Sequence, residues 1–129
     1  MRLIFFWSHD FGEERGRLYP HCKPDGSDTN LLCTQLEDDG GVGIDSFSPW
    51  ISEAIEKIDA VRDGYKSEEI WGTEVLCTDI TANEVKIYFS DEVGGVEYYK
   101  LSAFRSALVG WLEFIQSEPD INKSIELEI

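Results

Sequence analysis

The sequence predicts a single α+β domain, residues 1–129, in which an antiparallel β-meander carries two amphipathic helices packed on one face. Two segments have apolar residues at helical spacing, and three consecutive segments in the C-terminal half alternate as strands do. The length of 129 residues is typical of one domain, and it suffices to bury a hydrophobic core without a disulfide or a metal ion.

The N-terminal third is predicted to form strands separated by long connections. Apolar residues 3–7 predict a first strand, and the Gly- and Pro-rich residues 8–29 predict a long loop. Residues 30–36 (NLLCTQL) predict a second strand. An acidic turn at 37–41 then leads into a short third strand at 42–47, which would complete a hairpin.

The first predicted helix has both of its ends marked in the sequence. Ser48 suits the N-cap, and Pro49 suits the first helical position because its missing N–H has no intrahelical partner there. Gly64 is a typical residue just past a helix C-terminus, so we expect a helix at 49–63. Its apolar stripe consists of Trp50, Ile51, Ala54, Ile55, Ile58 and Val61.

The meander and a second helix follow. Segment 71–79 is expected to place Trp71, Thr73, Val75 and Cys77 on one face, and segments 84–89 and 96–101 continue the sheet. Ser102 is expected to cap the last helix and Pro119 to end it. The buried face of that helix would consist of Phe104, Leu108, Trp111, Leu112 and Ile115. The tail at 125–129 is either an added edge strand or a frayed end.

Net charge narrows the classes of partner. Twenty-six Asp and Glu residues against eleven Lys and Arg residues give a formal net charge of −15. Such a surface repels phosphate, so it argues against direct nucleic-acid binding and against an anionic membrane surface. It attracts cationic partners and speeds their association. The sequence therefore predicts a binding protein whose partner is basic.

The compartment is predicted to be the cytoplasm. The N-terminal apolar run at 3–7 is too short for a signal-peptide core, and no segment approaches the length of a membrane span. Cys22, Cys33 and Cys77 are odd in number and form no Cys-x-x-Cys pair, which suits free thiols in a reducing cytosol. Cys33 and Cys77 are expected to pack inside strands.

No catalytic, metal or cofactor site is predicted. The two histidines, His9 and His21, lie around the 8–29 loop with Cys22, but their spacing matches no zinc pattern. The glycine-rich segment at 40–43 follows an acidic run and lacks the Lys of a phosphate-binding loop. A small enzyme that uses His9, His21 and Cys22 remains an alternative hypothesis.

The acids are concentrated in stretches without a base. Eight acids lie between Lys23 and Lys57, and five lie between Lys66 and Lys86. Patches of this kind, presented with aromatics such as Tyr88 and Tyr98, indicate a surface for a basic protein. The predicted partner-binding residues are Glu37, Asp38, Asp39, Asp45, Glu68, Glu69, Trp71 and Glu74. Trp50 and Trp71 are further candidates for this surface, but the favoured interpretation for each one taken alone is that it belongs to the core.

Residues 70–115 carry a resemblance to a known group of proteins. The order IWGTEVLCTDI, NEVKIYF and EYYKLSAFRSALVGWLEFI resembles the C-terminal half of immunity proteins from bacterial contact-dependent growth inhibition and polymorphic toxin systems. The residues that carry this resemblance are Trp71, Gly72, Asn83, Tyr98, Phe104, Leu108, Trp111 and Phe114.

The resemblance implies an antitoxin that forms a tight, non-catalytic complex with a toxin, commonly a basic nuclease. Acidic side chains would then stand in for the phosphates of the toxin's substrate. The alternative is an acidic nucleic-acid mimic or regulatory adaptor that binds another basic host protein.

Overall fold

A computed structural model describes residues 1–9, 17–38 and 46–129. Within these residues the chain forms seven strands and three helices. In chain order they are β1 (Arg2–Ser8), β2 (Tyr19–Pro24), α1 (Leu31–Glu37), α2 (Phe47–Arg62), β3 (Glu68–Gly72), β4 (Leu76–Thr81), β5 (Val85–Phe89), β6 (Val96–Tyr99), α3 (Leu101–Gln116) and β7 (Ser124–Glu128). The α+β fold class predicted from the sequence is confirmed.

The strands of the described residues form two antiparallel sheets. The N-terminal sheet has the order β2-β1-β7, so the last strand pairs with the first, and Leu3 lies opposite Leu127. The meander sheet has the order β3-β4-β5-β6 and is built from consecutive hairpins. The predicted meander is thus present with one more strand than expected, and the N-terminal sheet was not predicted as a separate sheet.

The helices join the two sheets. Helix α2 contacts β3 and β4 of the meander sheet and also contacts α3, which in turn contacts β1 of the N-terminal sheet. Helix α1 contacts β2 on one side and β5 and β6 on the other. Each helix therefore buries its apolar face against at least one sheet.

Aromatic rings fill the core between α3 and the N-terminal sheet. The ring of Phe5 meets Trp111 edge-on with centroids 5.1 Å apart, and Trp7 stacks on Phe114 at the same centroid distance. All four side chains are buried. Gly110 lets the backbone of α3 approach β7, because a Cβ there would lie 2.7 Å from a methyl group of Leu127.

Both predicted helices are confirmed, with shifted ends. The helix expected at 49–63 spans Phe47–Arg62, and Gly64 follows it with a positive φ of 84°. The last helix begins at Leu101 with Lys100 as its N-cap, so Ser102 lies inside the first turn and is not the cap. The tail forms the edge strand β7, which decides between the two possibilities open for it.

The strand predicted at 30–36 is wrong, because this segment is helix α1. Asn30 is its N-cap and accepts a hydrogen bond from the backbone N–H of Cys33 at 2.7 Å. Leu32, Cys33 and Leu36 are buried, which is the i, i+1, i+4 spacing of a helical face. Cys33 therefore lies in a helix, whereas Cys77 lies in a strand as predicted.

The single strand predicted at 71–79 is also wrong. The chain turns at 73–75 between β3 and β4, and Gly72 enters the turn with a φ of +119°. The turn interrupts the alternation, so Trp71 is buried while the Val75 side chain is 64% exposed.

The N-terminal loop and the hairpin are revised as well. Residues 8–29 contain strand β2, and Phe47 begins a helix. Ser46 is the N-cap of that helix, and the rest of the predicted third strand, 42–45, lies outside the described residues, as does Asp39.

Candidate interaction surface

Two of the predicted acidic segments meet at the end of α1. The hydroxyl of Thr73, in the β3–β4 turn, donates to a carboxylate oxygen of Asp38 at 3.1 Å. Asp38, Thr73, Glu74 and Val75 line a shallow recess of about 380 Å³ beside this contact. We call this group of residues the acidic corner. It joins two segments that lie 35 positions apart in the chain.

Local hydrogen bonds hold the turn in this position. The backbone N–H of Thr73 donates to the carbonyl of Leu76 at 3.0 Å, and the N–H of Leu76 donates back to the Thr73 hydroxyl at 3.2 Å. A Cβ at Gly72 would overlap that same Leu76 carbonyl oxygen and lie 2.9 Å from Nε2 of Gln35. The sharp turn therefore requires glycine at position 72.

A buried polar contact fixes α1 beneath the corner. Thr78 of β4 donates its hydroxyl to the side-chain carbonyl of Gln35, and both residues are almost completely buried. A hydrogen bond in such an apolar setting is costly to break, because each partner would lose its only compensation for leaving water. This hydrogen bond thereby fixes the position of helix α1 on the meander sheet.

Glu97 forms a second link between α1 and the meander sheet. Its two carboxylate oxygens accept from the backbone N–H groups of Leu31 and Leu32 at 2.7 and 3.2 Å, and the Tyr99 hydroxyl donates to it at 2.5 Å. Burial and this carboxylate raise the pKa of Tyr99. The sequence analysis missed this role, since nothing local marks a strand residue as the cap of a helix 65 residues earlier.

The outer face of the meander sheet carries large apolar side chains. Ile70, Tyr98 and Val96 are 67%, 55% and 44% exposed, and each lies on the face away from the helices. At the centre of this face the Tyr88 hydroxyl donates to Asp79 at 3.1 Å. Desolvation is the main cause of the raised pKa of Tyr88, and this hydrogen bond is the second cause. Exposed apolar residues grouped on one surface are typical of interaction sites.

Acids surround this outer face. From Glu68 to Gly95 the chain has seven acids and one base, Lys86, whose ammonium lies 4.7 Å from the centre of the Tyr88 ring. The exposed acids of this region are Glu68, Glu74, Glu84, Asp91 and Glu92. The acidic corner and the outer face together form the candidate interaction surface.

Two predicted site residues point the other way. Strand alternation turns Glu69 and Trp71 toward α2, where Glu69 pairs with Lys57 at 3.0 Å and the Trp71 ring lies 5.1 Å from that of Trp50. Trp71 is only 3% exposed, so its side chain is a core residue and does not form part of the surface. The core alternative stated for Trp71 is the one that the structure supports.

Of the remaining predicted residues, the structure describes Glu68 and Glu37, whereas Asp39 and Asp45 lie outside the described residues. Glu68 is exposed at the start of β3, at the opposite end of that strand from the acidic corner. Glu37 is partly buried, and one of its carboxylate oxygens lies 2.7 Å from Nδ1 of His21. Asp38 and Glu74 are therefore the predicted pair that the fold brings together.

Two of the residues named for the enzyme alternative, His9 and Cys22, differ in solvent exposure. His9 is exposed, and its Nδ1 lies 3.0 Å from the Arg17 carbonyl oxygen. Cys22 is buried, and contact with Cys33 and desolvation raise the pKa of its thiol. No group of three or more potential metal ligands occurs within the described parts of the chain.

The helices and the comparisons with known proteins complete the description. None of the helices in residues 1–9, 17–38 and 46–129 is long and apolar enough to cross a membrane. Comparison of the chain with protein-family models, with curated proteins and with solved structures finds no match. The fold defines an α+β protein in which helices join two antiparallel sheets.

Proposed function

We propose that this protein is a cytoplasmic immunity protein that binds and neutralises a cationic toxin domain, a nuclease, by steric and electrostatic blockade. The observation that carries the proposal is the acidic corner, where Asp38 of α1 and Glu74 of the β3–β4 turn line one recess. A cationic nuclease presents basic groups for phosphate, and carboxylates at this corner would occupy them.

The outer face of the meander sheet would supply the apolar centre of the complex. Interfaces derive most of their affinity from a few buried apolar or aromatic anchors, with charged residues at the rim. Ile70 and Tyr98 have the exposure required of such anchors. The surrounding acids would set the association rate and the choice of a basic partner.

Three basic residues lie away from the acidic corner. Arg62, Lys100 and Arg105 line a separate cavity of about 660 Å³ together with Asn83 of the β4–β5 turn. That turn and the acidic corner lie at opposite ends of β4. Arg62 and Arg105 both pair with Asp59 there, so the charges of these two bases are already matched by an acid.

The proposal predicts a toxin gene directly upstream of this one, and co-expression with the toxin domain that it encodes is the test. We expect restored growth of the host cell and a purified complex whose affinity falls as salt rises. No protection and no complex would refute it. An equally tight complex with unrelated basic proteins would instead favour the adaptor alternative, because it would show attraction without specificity.

A further inference from the structure

Two buried cysteines from different elements touch in the described structure. Sγ of Cys22, on β2, lies 2.7 Å from Sγ of Cys33, on α1. The two thiols are free and their residues are 4% and 0% exposed, so both sulfur atoms lie in the core. A disulfide bond of about 2.05 Å would require only a small further approach.

We propose that Cys22 and Cys33 are a reversible disulfide site that cross-links β2 to α1 when the surrounding thiol–disulfide balance becomes oxidising. The inference does not depend on the proposed function. It rests on the contact, on the burial of both sulfurs, and on their positions in two elements that pack against each other. Cys77 has no such neighbour among the described residues, and its thiol lies 3.7 Å from the Thr73 carbonyl oxygen.

The reaction is a two-electron exchange with glutathione disulfide. Both S–H bonds of the cysteines are lost and one S–S bond forms between them. The two electrons reduce the S–S bond of glutathione disulfide, and the two protons end on the two glutathione thiols. Exchange requires a thiolate, and contact with Cys33 together with burial raises the pKa of the Cys22 thiol, so the cross-link should form during folding or local opening.

The cross-link would act on the acidic corner through α1. Cys33 lies one turn before Glu37, and Asp38 follows directly as the C-cap of this short helix. Holding α1 to β2 would therefore restrict the backbone that carries Asp38. Proteins with the bond should unfold at a higher temperature, by roughly 5–10 °C, because a loop of this size is closed in the unfolded chain.

The experiment measures disulfide formation in the full chain carrying Cys77→Ser. The protein is unfolded, refolded into buffers of defined ratio of glutathione disulfide to glutathione, alkylated and weighed. We expect a product about 2 Da lighter with no alkylated thiol. Cleavage before Asp25 and Asp28 should leave the Cys22 and Cys33 peptides joined until a reductant is added.

The same titration in concentrated guanidinium chloride is the control for chance pairing. If the native contact favours the bond, the equilibrium constant for its formation should be at least about ten-fold larger in the folded protein. An equal or smaller constant would overturn the proposal. So would separate glutathione adducts on the two cysteines, or dimers between chains. Unsubstituted protein mapped in the same way covers the case in which Cys77→Ser fails to fold.

Discussion

The hydroxyl of Thr73 donates to Asp38 at 3.1 Å and thereby joins the β3–β4 turn to the end of helix α1. The contact depends on how α1 packs on the meander sheet, because the buried Gln35–Thr78 hydrogen bond links the helix to β4. The contact explains why Asp38 and Glu74 form one acidic corner.

Charge reversal at the corner should slow binding of a cationic partner. Glu74→Lys is expected to lower the association rate with the toxin domain by roughly five-fold at low salt, because it removes attraction and adds repulsion. Glu118→Lys is the matched control, since Glu118 is also an exposed glutamate but lies after α3, outside the meander sheet and its turns. Stopped-flow association at two salt concentrations measures both. Equal effects of the two substitutions would exclude a special role for the corner.

Polar substitution on the outer sheet face should separate binding from stability. Tyr98→Ser is expected to change the free energy of unfolding by less than about 1 kcal/mol, because the side chain is already 55% exposed. It should weaken the complex by about ten-fold or more if Tyr98 is a buried anchor there. Tyr65→Ser, at an 83% exposed site outside the sheets, is the control and should leave affinity unchanged. Calorimetric titration and urea unfolding provide the two readouts.

Loss of the Glu97 carboxylate should destabilise the protein. Glu97→Ala leaves the N–H groups of Leu31 and Leu32 without their acceptor, so we expect a loss of about 2 kcal/mol in the free energy of unfolding. Glu118→Ala removes an exposed carboxylate after α3 and should cost less than about 0.5 kcal/mol. Urea denaturation of both variants measures the difference, and a similar small loss for each would argue against the helix cap.

Substitution of Gly72 should destabilise the β3–β4 turn through backbone strain and through steric overlap, and comparison with Gly64 separates the two effects. Gly64→Ala introduces a side chain at a φ of +84° in open space, so only backbone strain of about 1 kcal/mol is expected. Gly72→Ala adds the overlap with the Leu76 carbonyl and should cost about 3 kcal/mol or more. Thermal and urea unfolding compare the two. A Gly72 variant no less stable than the Gly64 variant would contradict the described turn.

The ion pair between α2 and α3 should contribute stability that depends on pH. Arg105 donates two hydrogen bonds to Asp59, at 2.7 and 3.3 Å, and lowers the pKa of that carboxyl below its ordinary 3.8. Because the folded-state pKa is depressed, the contribution is present above about pH 4 and is lost as the pH falls through the folded-state value. Asp59→Asn should therefore lower stability at pH 7, by about 0.5–1 kcal/mol for a partly exposed pair.

The pH test compares this variant with the parent protein. The difference in unfolding free energy should shrink as the pH is lowered below 3.8, and Arg105→Gln should abolish most of it. Using the difference cancels the titration of the other carboxylates. A gap that stays constant down to pH 2.5 would mean that Asp59 contributes through packing and not through its charge.

The sequence by itself determined helices α2 and α3, the presence of a meander and the acidic net charge. Helical periodicity in α2 and α3 reflects burial along one stripe, and the 26 acids act on any cation whatever the fold. The apolar run in α1 did not distinguish a strand from a helix, because a short apolar segment satisfies both patterns. The structure has a helix there, with Asn30 as its N-cap and with Leu32, Cys33 and Leu36 on its buried face.

Only the tertiary structure decided which acids lie together. Side chains alternate between the two faces of a strand, so the position of each turn decides which face a residue occupies. In β3, which ends before the turn at 73–75, Glu69 and Trp71 face the helices and Ile70 faces outward. Asp38 and Glu74 meet, and Glu97 caps α1, through contacts between residues 35 or more positions apart. Such pairings follow from how buried faces pack, which one-dimensional spacing does not encode.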